Sequence, residues 1–533
     1  MCWCADTCTV APRLRFRPPA SRSTLLTISN LSVHGDHRWW REMRAAPMHK
    51  SLMAVAAVLI ACSTPAYRAS EVPVPATYTV PAGTAVAPAL QAAAASSTDN
   101  PAPNSIHVSD ASPSAPFWSS LGDTTLTLLV REAQRANMDV RIAESRLTAA
   151  RAARRLASLD LVPTVRGTGS TYRTQQSIVQ TPGAPGQLPA QNLWDVGFDA
   201  SWELDIFGRV NRNVRGASAL AEASQHGLED VQVSVATEVA RTYFDLRGAQ
   251  RQLAVSLRNA ATQQKIVKLT EDRLAAGRGT AFDTERAKSV LYLTLAATPG
   301  LESQIAIDRN RLATLLGRAP QALPVALLDS GPLPRLPDTL YVGSPDQLVR
   351  RRPDVLRAER QLAAQALFVG AARAEYLPRV TLGASVGYLA PTSNSLFKQD
   401  NSRLLIGPVV SFPLLDIGRV RQRVEVAASG QEEAQASYNS TVLQALEESE
   451  GSLVTYDRAH ARLGILESAV RSSARAADLA QQRFEAGLTD FLQVLDAERT
   501  LLDAENQLAL GQTAAATALV AVYKAVGGTW PIK

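Results

Sequence analysis

Proline is distributed so unevenly along this chain that most folds are excluded at once. None occurs from Ala190 to Thr298, a span of 109 residues, and none from Leu414 to Trp530, a span of 117. Proline breaks helix interiors, so stretches this long without it accommodate two very long helical regions and little else. Composition points the same way: aromatics make up 5% of the chain, while Ala, Leu, Arg, Gln and Glu recur throughout. An apolar share of 46% is too high for disorder. A mean hydropathy of -0.06 excludes a bundle of transmembrane helices.

Each helical region follows a stretch of period-two alternation. Trp194, Val196, Phe198, Ala200, Trp202, Leu204 and Ile206 fall on one face, and Asp195, Gly197, Asp199, Ser201, Glu203 and Asp205 on the other. Val380, Leu382, Ala384, Val386 and Tyr388 repeat the pattern against Thr381, Gly383, Ser385 and Gly387, and Leu404 to Phe412 gives a weaker version. Strands of about ten residues with one apolar and one polar side are what a transmembrane barrel around water requires. A half-buried strand of a soluble sheet alternates in the same way. The tryptophan pair and the leader described below tilt the balance toward a barrel.

The chain is also internally duplicated. Leu204-Asp205-Ile206-Phe207-Gly208-Arg209-Val210 leads from strand to helix, as does Leu414-Leu415-Asp416-Ile417-Gly418-Arg419-Val420. Further on, Asp272-Arg273-Leu274-Ala275-Ala276-Gly277 matches Gln482-Arg483-Phe484-Glu485-Ala486-Gly487, with each glycine suited to a left-handed helix cap. Each repeat therefore reads helix, strand, loop, strand, long helix, Gly turn, helix. Four strands cannot close a barrel, for which about eight are the minimum, so strands must be pooled between chains. A helix from Arg209 to Ala276 would reach roughly 100 Å, far more than a bilayer, so the helices must project into an aqueous compartment.

The N-terminus carries most of the charge imbalance. Residues 1–61 hold eight Lys+Arg against three Asp+Glu, leaving 47 against 46 in the remainder, which gives no footprint for nucleic acid. Cys2, Cys4 and Cys8 lie in the first residues, Cys62 stands alone, and none follow, so the body has no disulfide framework. A zinc site from Cys2, Cys4, Cys8, His34 and His37 fits no finger spacing. A basic start at residues 43–50, an apolar run from Leu52 to Ile60, and Leu59-Ile60-Ala61-Cys62 resemble a bacterial lipoprotein signal. The resemblance implies cleavage before Cys62 and diacylglycerol and N-acyl groups on that cysteine. Ser63 resembles the following residue of lipoproteins sent to the outer membrane. Residues 1–42 precede this signal and read as upstream sequence from a misassigned start. Residues 43–61 are then the signal peptide, and 62–118, rich in Pro, Ser and Ala, an extended tether with no regular structure.

Together these features resemble the outer-membrane efflux factors of the TolC superfamily, in particular the NodT-type lipoprotein branch. The most specific matches are Trp202-Glu203-Leu204-Asp205-Ile206-Phe207-Gly208-Arg209, Leu315-Leu316-Gly317-Arg318-Ala319-Pro320, and Arg351-Arg352-Pro353-Asp354-Val355 with Ala358-Glu359. The departures are residues 1–42 and Phe282 beside Asp283, where smaller apolar residues are usual. The resemblance implies a mainly α chain with a membrane β-barrel contribution. Three copies would form a 12-stranded β-barrel, four strands per chain, continuous with a long periplasmic α-helical barrel. It implies residues 119–320 as the first efflux-factor repeat, 321–345 as an equatorial linker, 346–528 as the second repeat and 529–533 as a tail. It also implies a homotrimer in the outer membrane of a Gram-negative bacterium, lipid-anchored and extending into the periplasm. Such a trimer would be a passive exit duct, joined through a periplasmic adaptor to an inner-membrane pump of RND type, with no cofactor and no nucleic acid.

Leu492 and Asp496 are four apart and so share a helix face. On spacing alone they read as a packed leucine and a solvated aspartate. By resemblance they line the periplasmic aperture, with Phe282, Asp283 and Arg286 as weaker counterparts, and the turns at Gly277 and Gly487 are tips for adaptor contact. Gly383-Ala384-Ser385-Val386-Gly387 matches a hydrolase nucleophile elbow in letters, but it lies within an alternating strand, and histidine in the body is confined to His107, His226 and His460. The expectation is no enzyme. The rival readings are a lipid-anchored periplasmic coiled-coil scaffold without a pore, a lipoprotein hydrolase, and the outer-membrane part of a type I secretion system. Neither the scaffold nor the hydrolase explains two amphipathic strands in each repeat.

Overall fold

The computed structural model describes residues 73–75, 77–78, 107–109, 117–175, 186, 189–322, 327, 330–337 and 339–528. The leader, the signal sequence, Cys62 and the tail 529–533 lie outside the described residues.

The chain starts with β1 (His107–Ser109), α1 (Phe117–Ser120), α2 (Thr124–Ala136) and α3 (Met138–Leu159). Strands β2 (Thr164–Thr174) and β3 (Gln191–Leu204) follow, then α4 (Arg209–Ala275), α5 (Ala281–Ala296) and α6 (Thr298–Leu315). The equatorial linker holds β4 (Thr339–Tyr341) and leads to α7 (Pro345–Val349) and α8 (Pro353–Ala374). The second repeat continues with β5 (Arg379–Ala390), β6 (Ser402–Ser411), α9 (Ile417–Glu485) and α10 (Phe491–Ala525). The two proline-free spans are thus filled by helices of 67 and 69 residues and their return helices. Each long helix reaches roughly 100 Å.

Two expectations need correction. Residues 62–118 are not wholly without regular structure: His107–Ser109 pairs in parallel with Thr339–Tyr341 of the linker. Val74 and Tyr78 pack against the core, because burying these side chains offsets the entropy of fixing an extended segment. The last two residues of 62–118 are helical as well: Phe117 and Trp118 belong to α1 and are buried against Tyr523, with ring centroids 4.8 and 4.4 Å away. The first alternating strand ends at Leu204, so Ile206 lies in the following turn and is exposed.

The four long strands form one antiparallel sheet in the order β2-β3-β5-β6. Register places Phe198 opposite Val386 and Trp202 opposite Leu382. It also sets Val386 opposite Leu404 and Ala384 opposite Ile406, so one face is continuously apolar. Strands from both repeats meet where Gly197 faces Gly387. A Cβ on Gly197 would lie 2.5 Å from the Val386 carbonyl oxygen, and one on Gly387 would collide with that of Val196. Two of the alternating small residues are therefore required by backbone approach.

The main core forms where α2, α4, α6, α9 and α10 converge, around Leu126, Val239, Tyr243, Phe244, Tyr456 and Leu519. By length and composition α10 could cross a membrane, but its apolar residues Ala515, Ala516, Leu519, Val520 and Tyr523 are buried in this core.

Candidate functional site

Two regions hold the residues that the sequence singles out: the sheet with its corner into the helices, and the far end of the helical hairpins.

On the sheet the polar face is internally paired. Arg403 lies 2.7 Å from Asp195 and also donates to the Ser385 hydroxyl, and Thr168 donates to Asp199 at 3.0 Å. Ser385, the residue at the centre of the elbow-like motif, therefore sits in a strand with its hydroxyl engaged by an arginine. The opposite face exposes Phe198, Val386, Leu404 and Ile406, each more than half accessible in the single chain. An extended apolar face of this kind on a soluble monomer would be an aggregation hazard; toward lipid it is what a barrel exterior needs. The edge strands β2 and β6 have no further partner within the described chain.

At the corner, the Trp202–Arg209 signature acts as a set of ties. The Trp202 indole N–H donates to the Leu161 carbonyl at 3.0 Å. Arg209 clasps Glu203 through two bonds of 2.9 and 2.7 Å. Asp205 accepts the backbone N–H groups of Val210 and Asn211 at 2.9 and 2.7 Å, satisfying donors that the start of α4 would otherwise leave orphaned. The Arg351-Arg352-Pro353-Asp354-Val355 motif makes a different tie in the second repeat, at the start of α8. Arg352 is 5% exposed and binds both Asp354 oxygens, Glu448, and the Ala525 carbonyl at the end of α10. Burial pushes the Asp354 carboxyl up, but the Arg352 hydrogen bonds and charge outweigh it and hold the group below its ordinary value.

The tips behave as the sequence requires. Gly277 and Gly487 adopt φ of +68° and +70°, the left-handed conformation that ends α4 and α9. The two hairpins lock together through Val267, Ala287, Phe484, Phe491, Val494 and Leu495, with the Arg273 guanidinium 4.0 Å over the Phe484 ring. Leu492, Asp496 and Arg286 line one open groove between α5, α9 and α10. Thus three of the five expected aperture residues come together. The other two do not line it. Asp283 is engaged in a capping box with Thr280, accepting its hydroxyl at 2.6 Å, and Phe282 projects into solvent. A Thr-x-x-Asp pattern at the start of α5 is a capping signal, so the role of Asp283 could have been read from the sequence.

Sequence reading missed Glu498. It is 9% exposed on α10, and burial together with the nearby Glu505 raises its carboxyl above the ordinary value. No periodicity flagged it, because a single charged residue does not by itself show whether its side of the helix turns inward.

Long helices leaving an amphipathic sheet with two open edges define an outer-membrane channel subunit whose barrel is shared between chains. Residues 129–318 and 344–528 match the model of the outer membrane efflux protein family, and the chain belongs to that family. It is similar to the pyoverdine export outer membrane protein OpmQ of Pseudomonas aeruginosa, 30% identical over 79% of this chain and 89% of that protein. It is also similar to nodulation protein T of Rhizobium leguminosarum bv. trifolii, 28% identical over 74% of this chain and 83% of that protein. Among solved structures, the outer-membrane channel OprN superposes with a TM-score of 0.77 at 34% identity, over 88% of this chain and 99% of that one. VceC of Vibrio cholerae superposes with a TM-score of 0.72 at 27% identity, over 78% and 99%. The protein is accordingly an outer-membrane efflux channel of the NodT type.

Proposed function

We propose that three copies of this chain form the exit duct of a tripartite efflux system. In this reading β2 and β6 of neighbouring subunits pair to close the barrel, and the apolar face meets lipid. Acyl chains on Cys62 anchor the trimer, and two or more chains hold far more firmly than one. A periplasmic adaptor engages the hairpin tips at Gly277 and Gly487 and joins the duct to an inner-membrane pump of RND type. The aperture lies at Leu492 and Asp496, facing the periplasm. The chain acts as a conduit and not as an enzyme.

The observation that carries this reading is the four-stranded sheet with one apolar face and two open edges. It is also what a coiled-coil scaffold would lack. Its test is Phe198→Asp, which places a charge on the proposed lipid face of every subunit at a cost of roughly 1–4 kcal/mol depending on depth. The expected result is loss of detergent-resistant trimer with helical content retained by circular dichroism. Wild-type trimer in that variant would overturn the lipid-facing assignment. Fatty-acid labelling that persists in Cys62→Ser would overturn the anchor.

A further inference from the structure

The two repeats correspond position by position through the sheet. An offset of 210 residues carries Ser201-Trp202 and Gly208-Arg209 onto Ser411-Phe412 and Gly418-Arg419, and one of 215 carries Leu161-Val162-Pro163 onto Tyr376-Leu377-Pro378. The same offsets carry the register of β2 and β3 onto that of β5 and β6. Thr164 opposite Ser201 becomes Arg379 opposite Ser411, and Ser170 opposite Asp195 becomes Ser385 opposite Leu405. The duplication therefore holds in strand pairing as well as in residue order. In a barrel closed by several copies, the seam between β6 and the partner's β2 is the counterpart of the seam between β3 and β5. There the offsets place Gly407, the counterpart of Gly197, opposite the partner's Tyr172, the counterpart of Gly387.

Strand β6 is unusual in being apolar on both faces. Register puts Leu405 and Val409 on the polar side of the sheet, opposite Ser385 and Thr381, yet they are 73% and 61% exposed in the single chain. They flank Gly407, where an added Cβ would meet nothing within 4 Å. Tyr172 lies on the same side of the other edge strand, alternating with Thr168 and Ser170, and is exposed.

We propose that Tyr172 of each subunit seats its ring on Gly407 of the next, between Leu405 and Val409, and so sets the register in which the barrel closes. This deepens the shared-barrel reading and rests on it. Glycine brings no side chain to a cross-strand pair, and an aromatic ring laid over it from the opposite strand covers the bare backbone. Residues two positions to either side are within reach of such a ring, which removes the apolar surface of Leu405 and Val409 from the water of the lumen. Because Tyr172 carries a Cβ, the strands at this seam keep ordinary spacing rather than the close approach of Gly197 and Gly387. A slip by two residues would keep every side chain on its face, but it would set the ring directly against Leu405 or Val409 and leave Gly407 bare. The seat therefore selects among registers that alternation alone leaves equal.

The test is disulfide trapping of the full-length chain in cells with a mild oxidant, read as covalent oligomers on heated denaturing gels, with each single substitution as control. Ser170→Cys with Val409→Cys puts thiols on opposed residues, whose Cα atoms lie about 4.5–5.5 Å apart, and should give covalent oligomers. Thr168→Cys with Val409→Cys, and Ser170→Cys with Ser411→Cys, are displaced by two residues, about 7–8 Å, and should give none. In the otherwise native chain, Tyr172→Ala and Gly407→Val should lose the heat-resistant trimer, while Tyr172→Phe keeps it. Crosslinking through a displaced pair would overturn the register and leave the shared barrel standing. No crosslink through any pair would overturn the β2–β6 seam and the proposal with it. The expected crosslink together with a wild-type trimer in Tyr172→Ala would uphold the register and overturn the part of Tyr172 in setting it.

Discussion

In the first repeat the passage from strand to helix is tied on three sides, whereas in the second the same passage is nearly bare. Asp205 caps α4 with two backbone bonds and Glu203 is clasped by Arg209. The corresponding Asp416 makes no side-chain cap bond to α9, and Leu415 beside it is wholly exposed. The return arms differ in the opposite sense. In the first repeat the chain breaks at Ala297, with Pro299 in the first turn of α6, while in the second α10 runs unbroken for 35 residues through the core. Duplication has kept the backbone plan and divided the fastening between the copies: the first fixes the corner at the membrane, and the second supplies the continuous spine.

The largest expected effect concerns how an early helix of each repeat is started, α2 in the first and α8 in the second. In the first, Asp123 accepts the Leu126 N–H at 2.9 Å and the Tyr243 hydroxyl at 2.8 Å. In the second, buried Arg352 gathers Asp354, Glu448 and the end of α10. Arg352→Ala should cost about 2–4 kcal/mol, because it removes a buried guanidinium with its hydrogen bonds and leaves the half-buried Asp354 carboxylate unpaired, whereas Asp123→Ala should cost about 1–2 kcal/mol. Denaturant melts of the detergent-solubilised protein would measure both. The Asp354 carboxyl is held below its ordinary value, so its contribution is complete above the unfolded value of about 3.9 and is lost as pH falls through the lower folded value. Equal costs for the two variants would mean that the second repeat does not depend on its arginine staple.

The seam between repeats offers a contrast within one strand. Gly387 abuts the backbone of β3, while a Cβ on Gly383 would have only the Gly407 carbonyl oxygen nearby, at 3.9 Å. Gly387→Val should destabilise the sheet by about 1–3 kcal/mol and reduce trimer yield, and Gly383→Ala should leave it intact. Similar yields from the two would show that strand separation at Gly197 and Gly387 is not limiting.

The corner comparison predicts a smaller, local difference. Asp205→Ala should speed amide exchange at residues 209–212 and cost about 1 kcal/mol, whereas Asp416→Ala should change residues 417–420 hardly at all. Matched protection losses at both corners would erase the asymmetry.

Much of this architecture is legible in the amino-acid sequence. Absence of proline locates the long helices, period-two alternation locates β3 and β5, and the paired Gly277 and Gly487 turns locate the tips. Those signals are local, and local signals survive without tertiary context. What escapes depends on contacts distant in sequence. The pairing of His107–Ser109 with Thr339–Tyr341 joins two short segments with no periodicity of their own. The burial of Arg352 and Glu498 depends on which neighbour covers them. Leu492, Asp496 and Arg286 are singled out only by resemblance, and only packing of α5 against α10 places them in one groove.

The smallest effect separates the two tips most cleanly. Position 498 of the second hairpin corresponds to Lys288 of the first, eleven residues after each turn glycine. Lys288 sits in a surface network with Glu271 and Glu285 at 3.2 and 3.3 Å. Glu498 is turned inward with no ion pair among the described residues, and burial raises its carboxyl above the ordinary value. A carboxyl with a raised folded value binds its proton more readily in the folded state. Its ionisation therefore weakens the tip at neutral pH, and stability is regained as pH falls through that value toward the unfolded one of about 4.3. Glu498→Gln keeps the shape and removes the charge. It should strengthen α10 near the tip by less than ~1 kcal/mol at pH 7.5 and abolish the acid-side gain. Lys288→Gln should move neither by more than ~0.5 kcal/mol, because exposed pairs contribute little. Hydrogen exchange of residues 491–505 at pH 7.5 and 5 would read both. A wild-type tip equally protected at the two values would show that Glu498 ionises freely and that the two hairpins, despite their different sequences, are electrostatically alike.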